Sequence, residues 1–229
     1  YSYIGQIYFA QNDYSKALDY FKKSLKLDLS FFGENHPSVA SGYYNIGYVY
    51  FAQGDYSKAL EYFEEVLKIR LSVYGENHSR VASVYNDIGE IYSVQGDDFK
   101  ALDYFKKSLK IVLSVYGENH SQVSSIYDHI GEIYFAQKDY SKALYYFEES
   151  LKIRLSLFGE NHPEVALSYY SIGSLYIIQG DKSKALNYYE KSLKIRLSVY
   201  GENHPLTKEI MDLINVANSK VLQSPETTK

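Results

Sequence analysis

The stretch His36–Asn77, HPSVASGYYNIGYVYFAQGDYSKALEYFEEVLKIRLSVYGEN, decides the fold. The next residue, His78, starts the pattern again. The tetrad Gly-Glu-Asn-His begins at Gly33, Gly75, Gly117, Gly159 and Gly201, and a second glycine recurs at Gly5, Gly47, Gly89, Gly131 and Gly173; both series step by 42 residues. A fixed period of this length marks a solenoid of stacked units. Such units form one quasi-one-dimensional body. The expected organisation is a single array over residues 1–223, with copies 1–35, 36–77, 78–119, 120–161 and 162–203, a capping helix 204–223 and a disordered polar tail 224–229.

Each copy reads as two helices. Val39, Tyr43, Ile46 and Tyr50 recur at spacings of four, three and four, one stripe of a helix. Pro37 suits the first helical position and pushes His36 toward an extended, cap-like backbone. Helix A is expected from about Pro37 to Gln53. Gly54 can close it in the left-handed conformation, and Asp55 can cap the next helix through its carboxylate. The aspartate recurs as Asp13, Asp97, Asp139 and Asp181, while Asn12 and Lys138 replace the glycine in copies one and four. Helix B is expected from Tyr56 to Tyr74, with Ala59, Leu60, Phe63, Leu67, Leu71 and Tyr74 as its apolar face. The helical glycines imply close packing, because a mid-helix glycine costs about 1 kcal/mol against alanine. Ala59 is the expected small residue opposite Gly47.

These residues resemble the tetratricopeptide repeat: Tyr43, Ile46-Gly47 and Tyr50 on helix A, then Ala59, Phe63 and Val66 on helix B; Tyr127, Ile130-Gly131, Tyr134, Ala143, Phe147 and Ser150 repeat the set. The 42-residue length and the Gly-Glu-Asn-His-Pro-x-Val-Ala junction are similar to the long repeats of kinesin light chains. The resemblance implies an all-α, right-handed α-solenoid, a superhelix of antiparallel helix pairs. It further implies that helix A residues not used in packing line a concave face where a protein or peptide partner binds. Those positions are Tyr44, Asn45, Tyr48 and Phe51 in copy two; Asn86, Asp87, Glu90 and Ser93 in copy three; Asp128, His129, Glu132 and Phe135 in copy four; and Tyr170, Ser171, Ser174 and Ile177 in copy five. Asp87, Glu90, Asp128 and Glu132 make the middle of this face acidic, and tyrosines flank it. The expected ligand is therefore an extended basic or aromatic segment, steered by charge and held on tyrosine faces.

Composition narrows the classes further. A net charge of −4 speaks against a general nucleic-acid binder. There is no cysteine, hence no disulfide framework and no thiolate chemistry. No apolar run approaches a membrane span. His36, His78, His120, His162 and His204 occur one per junction, too far apart to share a metal, so no metal or cofactor is expected. No nucleophile–base arrangement and no phosphate-cradling loop stands out, so the chain does not read as an enzyme. The expected compartment is the cytoplasm.

The last segment, from Pro205, breaks the pattern with Asn215 and Asn218, as a terminal cap should. With Tyr1 first and Met211 the only methionine, the chain is expected to be cut from a longer protein at its N-terminus and to end naturally at its C-terminus. The shortened first helix bares Ile4, Ile7 and Tyr8, which makes end-to-end self-association the expected alternative, a structural rod or spacer without a peptide ligand. Along helix B, Lys22-Lys23, Glu64-Glu65, Lys106-Lys107, Glu148-Glu149 and Glu190-Lys191 alternate in sign, a pattern expected either as a solvated face or as charges meeting across repeat junctions.

Overall fold

Each turn between the paired helices is closed by the residues that the sequence marks for it. Gly54 sits at φ +78°. Its N–H reaches Phe51 O at 2.9 Å and that of Asp55 reaches Tyr50 O at 2.9 Å, the pair of bonds that ends a helix in a Schellman turn. The Asp55 carboxylate then accepts the N–H of Lys58 and starts the next helix. Asp13, Asp97, Asp139 and Asp181 cap their helices in the same way. Asn12 and Lys138 take the glycine's left-handed backbone at φ 59° and 61°.

A computed structural model describes residues 1–219. Among these residues there are eleven helices and no strand: α1 (Ser2–Ala10), α2 (Tyr14–Phe32), α3 (Pro37–Ala52), α4 (Tyr56–Tyr74), α5 (Ser79–Val94), α6 (Asp98–Tyr116), α7 (Ser121–Ala136), α8 (Tyr140–Phe158), α9 (Pro163–Gln179), α10 (Lys182–Tyr200) and α11 (Pro205–Ser219). No helix among the described residues is long and apolar enough to cross a membrane. The chain divides into two compact units, Tyr1–Gly117 and Glu118–Lys229. In the first, the pairs α1/α2, α3/α4 and α5/α6 pack in sequence order; in the second, α7/α8 and α9/α10 do so, with α11 against α10. The expected end of the capping helix at 223 and the tail 224–229 lie outside the described residues.

The cores follow the repeat. Phe21, Ile46, Val49, Phe63 and Ile88 are buried in the first unit, and Phe147, Ile172, Leu175 and Ile195 in the second. Burying such a side chain contributes about 1.5–3 kcal/mol. The recurring helix A glycine faces an aromatic ring of helix B rather than the alanine expected opposite it. A Cβ on Gly89 would lie 2.8 Å from the Phe105 ring, and one on Gly131 2.7 Å from the Phe147 ring. Gly47 is looser, with Tyr62 Cβ at 3.1 Å and the Phe63 ring at 3.3 Å.

The histidines and many tyrosines build the scaffold. His36, His78, His162 and His204 accept a backbone N–H two residues on through Nδ1. Their rings stack on the last aromatic of the preceding helix, Phe32, Tyr74, Phe158 and Tyr200, at 4.2–4.5 Å. Within the copies, Tyr50 stacks on Tyr62 at 5.5 Å. Lys58, already paired with the capping Asp55, lies over the Tyr50 ring at 5.0 Å. Tyr8, Tyr92, Tyr134 and Tyr176 repeat the arrangement.

Among the described residues, the alternating helix B charges form no ion pair across a junction within either unit. Lys23 pairs with Asp19, Lys107 with Asp103, Glu65 with Lys68 and Glu149 with Lys152, each within its own helix and largely exposed. Such pairs contribute about 0–1 kcal/mol.

Candidate functional site

The residues expected to face a partner fall on α3 and α5 in the first unit and on α7 and α9 in the second. In the first unit, Tyr48 is 42% exposed and lies 5.8 Å from the Phe9 ring and 6.1 Å from Tyr44. Gln6, Phe9, Phe21, Tyr44, Asn45 and Tyr48 line an open cavity of about 170 Å³. Asn86 donates to Glu90 at 2.6 Å.

Two of the four carboxylates expected on an open acidic face are instead drawn inward. Asp87 is half-buried, with one oxygen secluded from solvent and without a hydrogen-bond partner. Burial, and after it the Glu90 charge, pushes its pKa up to about 7, against the opposing pull of the Tyr44 hydroxyl and Arg70. Asp128 pairs with Arg154 at 2.7 Å. Burial raises its pKa, opposed mainly by that guanidinium. Glu132, 70% exposed, keeps the open position that the sequence assigns it, with His129 Nδ1 4.0 Å away. Tyr170 donates to Glu209 at 3.1 Å, and Ser174 bonds Tyr170 O at 3.0 Å and the Tyr189 hydroxyl at 3.1 Å.

Asp128 is held by one of a set of arginines that the reading of helix A alone misses. Arg70, Arg154 and Arg196 occupy the same place in copies two, four and five. Arg70 donates to Arg80 O at 2.7 Å and Ser83 Oγ at 2.9 Å, under the Tyr44 ring at 5.2 Å. Arg154, 5% exposed, reaches Asp128, Glu164 and Ser168. Arg196, 4% exposed, bonds Leu206 O at 2.6 Å, lies 3.5 Å from Glu209 and sits 4.9 Å from the Tyr170 ring. A buried guanidinium needs acceptors or an aromatic face to offset its lost hydration. Tyr44, Asp128 and Tyr170 supply them. The available signal was an arginine set in the apolar runs Ile69-Arg70-Leu71, Ile153-Arg154-Leu155 and Ile195-Arg196-Leu197.

The family model for the tetratricopeptide repeat matches residues 1–72, 38–114, 80–156 and 122–198. The chain belongs to the tetratricopeptide repeat family. A comparison with curated proteins finds no match. Among solved structures, BtubC (BKLC) from P. vanneervenii superposes with a TM-score of 0.77 at 24% identity, covering 88% of this chain and 80% of that one. A putative kinesin light chain from Podosopora anserina with nearly identical TPR-like repeats gives 0.72 at 16% identity, over 87% and 94% of the two chains. MamA gives 0.58 at 20% identity, over 85% and 95%. The fold is thus all-α, built of stacked tetratricopeptide helix pairs. Tetratricopeptide repeats imply a role in protein–protein interaction or scaffolding. In this tetratricopeptide chain, the helix A positions divide into those that hold an arginine and those, such as Tyr48 and Glu132, that face outward.

Proposed function

We propose that this protein is an interaction scaffold whose first unit binds an extended peptide segment along α1 and α3. The observation that carries the reading is the aromatic cavity formed by Phe9, Phe21, Tyr44 and Tyr48, which is open to solvent and edged by the polar Gln6 and Asn45. It has room for one apolar or aromatic side chain, with two amides beside it to bond the partner's backbone. Aromatic anchors in desolvated pockets dominate peptide affinity. Partner charge enters at Glu90 in this unit. In the second unit, Asp128 pairs with Arg154, and the largely exposed Glu132 adds negative charge to the face there.

Fluorescence anisotropy with a library varying one anchor residue tests this. Preference for Tyr, Phe or Leu over Gly at one position, reduced at least tenfold by Tyr48→Ala, is expected. Equal binding by wild type and Tyr48→Ala, or no anchor preference, would rule the cavity out.

A second reading has its own observation. Tyr3, Ile4 and Ile7 of α1 are 83%, 39% and 57% exposed. Tyr8, expected beside them, is half-buried and stacks on Tyr20 at 5.5 Å. An apolar edge of this kind supports end-to-end association. Light scattering across a concentration series would show growth in mass that Ile4→Asp/Ile7→Asp abolishes; a constant monomer mass would refute it.

A further inference from the structure

Copy one carries Asp28 where copies two, four and five carry Arg70, Arg154 and Arg196. The replacement turns a filled slot into an open one. Ser2, Ser24, Gly42 and Asn45, which line the cavity with Asp28, stand where copy two has Tyr44, Val66, Val84 and Asp87. Every neighbour has become smaller or lost its charge. The result is an open cavity of about 280 Å³ lined by these residues with Ser38 and Ser41. The half-buried Asp28 carboxylate at its wall has no hydrogen-bond or ion-pair partner among the described residues. Asn45 spans the two cavities of this unit and donates only weakly, to Ser2 Oγ at 3.5 Å.

We propose that this cavity is a binding site for the guanidinium of an arginine side chain presented by a partner peptide. The protein itself shows how such a group is held at this place in the repeat. Arg70 bonds the carbonyl of Arg80 and the hydroxyl of Ser83, whose equivalents here are the Ser38 carbonyl and the Ser41 hydroxyl. Arg154 adds carboxylates, and Asp28 offers one from the cavity wall. A planar guanidinium suits that mixed set of carboxylate, carbonyl and hydroxyl acceptors better than the compact ammonium of lysine. The inference rests on the reading that a segment lies along α1 and α3. It gives that segment a sequence: an arginine adjacent to the apolar or aromatic residue that enters the neighbouring cavity.

The test uses the 229-residue protein and one fluorescent peptide in three forms, carrying arginine, lysine or the uncharged isostere citrulline. Wild type should bind the arginine form at least tenfold more tightly than the citrulline form, with lysine between. Asp28→Asn should cut that preference to less than threefold. Asp28→Arg should abolish it, because the carboxylate is lost and the chain's own guanidinium then competes for the slot. Equal affinity of wild type for arginine and citrulline peptides would overturn the proposal, as would an unchanged preference in Asp28→Arg. An arginine preference that survives Tyr48→Ala would leave this site standing and remove the aromatic anchor. An anchor preference without an arginine preference would do the reverse.

Discussion

Replacing Gly89 by alanine should destabilise the first unit, although alanine is the better helix former by about 1 kcal/mol. Gly89 lies within α5, and its missing side chain is occupied by the Phe105 ring. An added Cβ would sit 2.8 Å from Cε1, 2.9 Å from Cδ1 and 3.2 Å from Cζ. Phe105 is 0% exposed and cannot swing into solvent. Relief therefore requires α5 and α6 to separate or the ring to leave its rotamer, an overpacking cost of about 1–3 kcal/mol. Ring displacement also loosens contacts around Phe105, and the net expectation is a loss of about 1–2 kcal/mol. Urea unfolding followed by far-UV circular dichroism reads it as a lower midpoint at unchanged slope. Two controls fix the mechanism. Gly47→Ala, where the nearest ring atom is at 3.3 Å, should lie within about 0.5 kcal/mol of wild type, since propensity and crowding nearly cancel. Gly89→Ala combined with Phe105→Leu should cost less than the sum of the two single changes, because the smaller side chain vacates the clash. A stabilised Gly89→Ala, or strict additivity with Phe105→Leu, would refute the ring-to-glycine packing argument.

Other consequences are open to measurement. Asp87, with its pKa raised from 3.8 to about 7 by burial and then by Glu90, keeps its proton in the folded protein after the unfolded chain has lost it. Its contribution therefore falls as pH rises between those values, by at most about 4 kcal/mol; Asp87→Asn should match wild type near pH 4 and exceed it by about 1–3 kcal/mol at pH 8, and urea midpoints that converge at high pH instead would reject this. Lys138 holds a left-handed backbone at φ 61°, so Lys138→Gly should stabilise the second unit by about 1 kcal/mol, read as a melting point higher by about 2–4 °C. His162→Ala removes the acceptor for the Glu164 N–H and the ring stacked 4.3 Å from Phe158, and should cost about 1–2 kcal/mol, whereas a loss below 0.3 kcal/mol would make the histidine a spectator. A double-mutant cycle of Tyr44→Leu and Arg70→Met should show a coupling energy of about 1 kcal/mol; additive effects would detach the ring from the guanidinium.

The helices, their turns and the family were legible because each rests on local chemistry repeated five times. A left-handed glycine followed by a capping aspartate, and a histidine followed by proline or serine, constrain the backbone wherever they occur. Period and spacing identify such features without knowledge of distant neighbours. The partner of the helical glycine was less legible. Alanine, tyrosine and phenylalanine all recur on the facing stretch of helix B, and only the rotation of the two helices decides that Phe63, Phe105 and Phe147 take the place. The surface residues were the least legible. Asp87 and Asp128 were expected on an open face, and nothing within helix A reveals that Asp87 is buried or that Arg154 of another helix pairs with Asp128.

That dependence bears on why the helix A face differs from copy to copy. Drift on an idle surface and selection by a partner are two accounts of such variation, and the structure supplies a third. The residue at the first of these positions follows the one carried by helix B of the same copy. Tyr44, Asp128 and Tyr170 accompany Arg70, Arg154 and Arg196, each giving the arginine a ring or a carboxylate. Where helix B carries Asp28 or Val112, the position holds Ser2 or Asn86. A neighbouring tyrosine or aspartate would there have no guanidinium to meet, and beside Asp28 a second carboxylate would repel. At this position variation thus follows the burial of a cation in copies two, four and five, and the place beside Asp28, where no arginine is present, is left open. On the reading proposed above, partner selection rests on positions outside this arginine-linked set. Tyr48 and Asn45 in the first unit and Glu132 in the second meet that condition, and two of the three border the cavities beside α1 and α3.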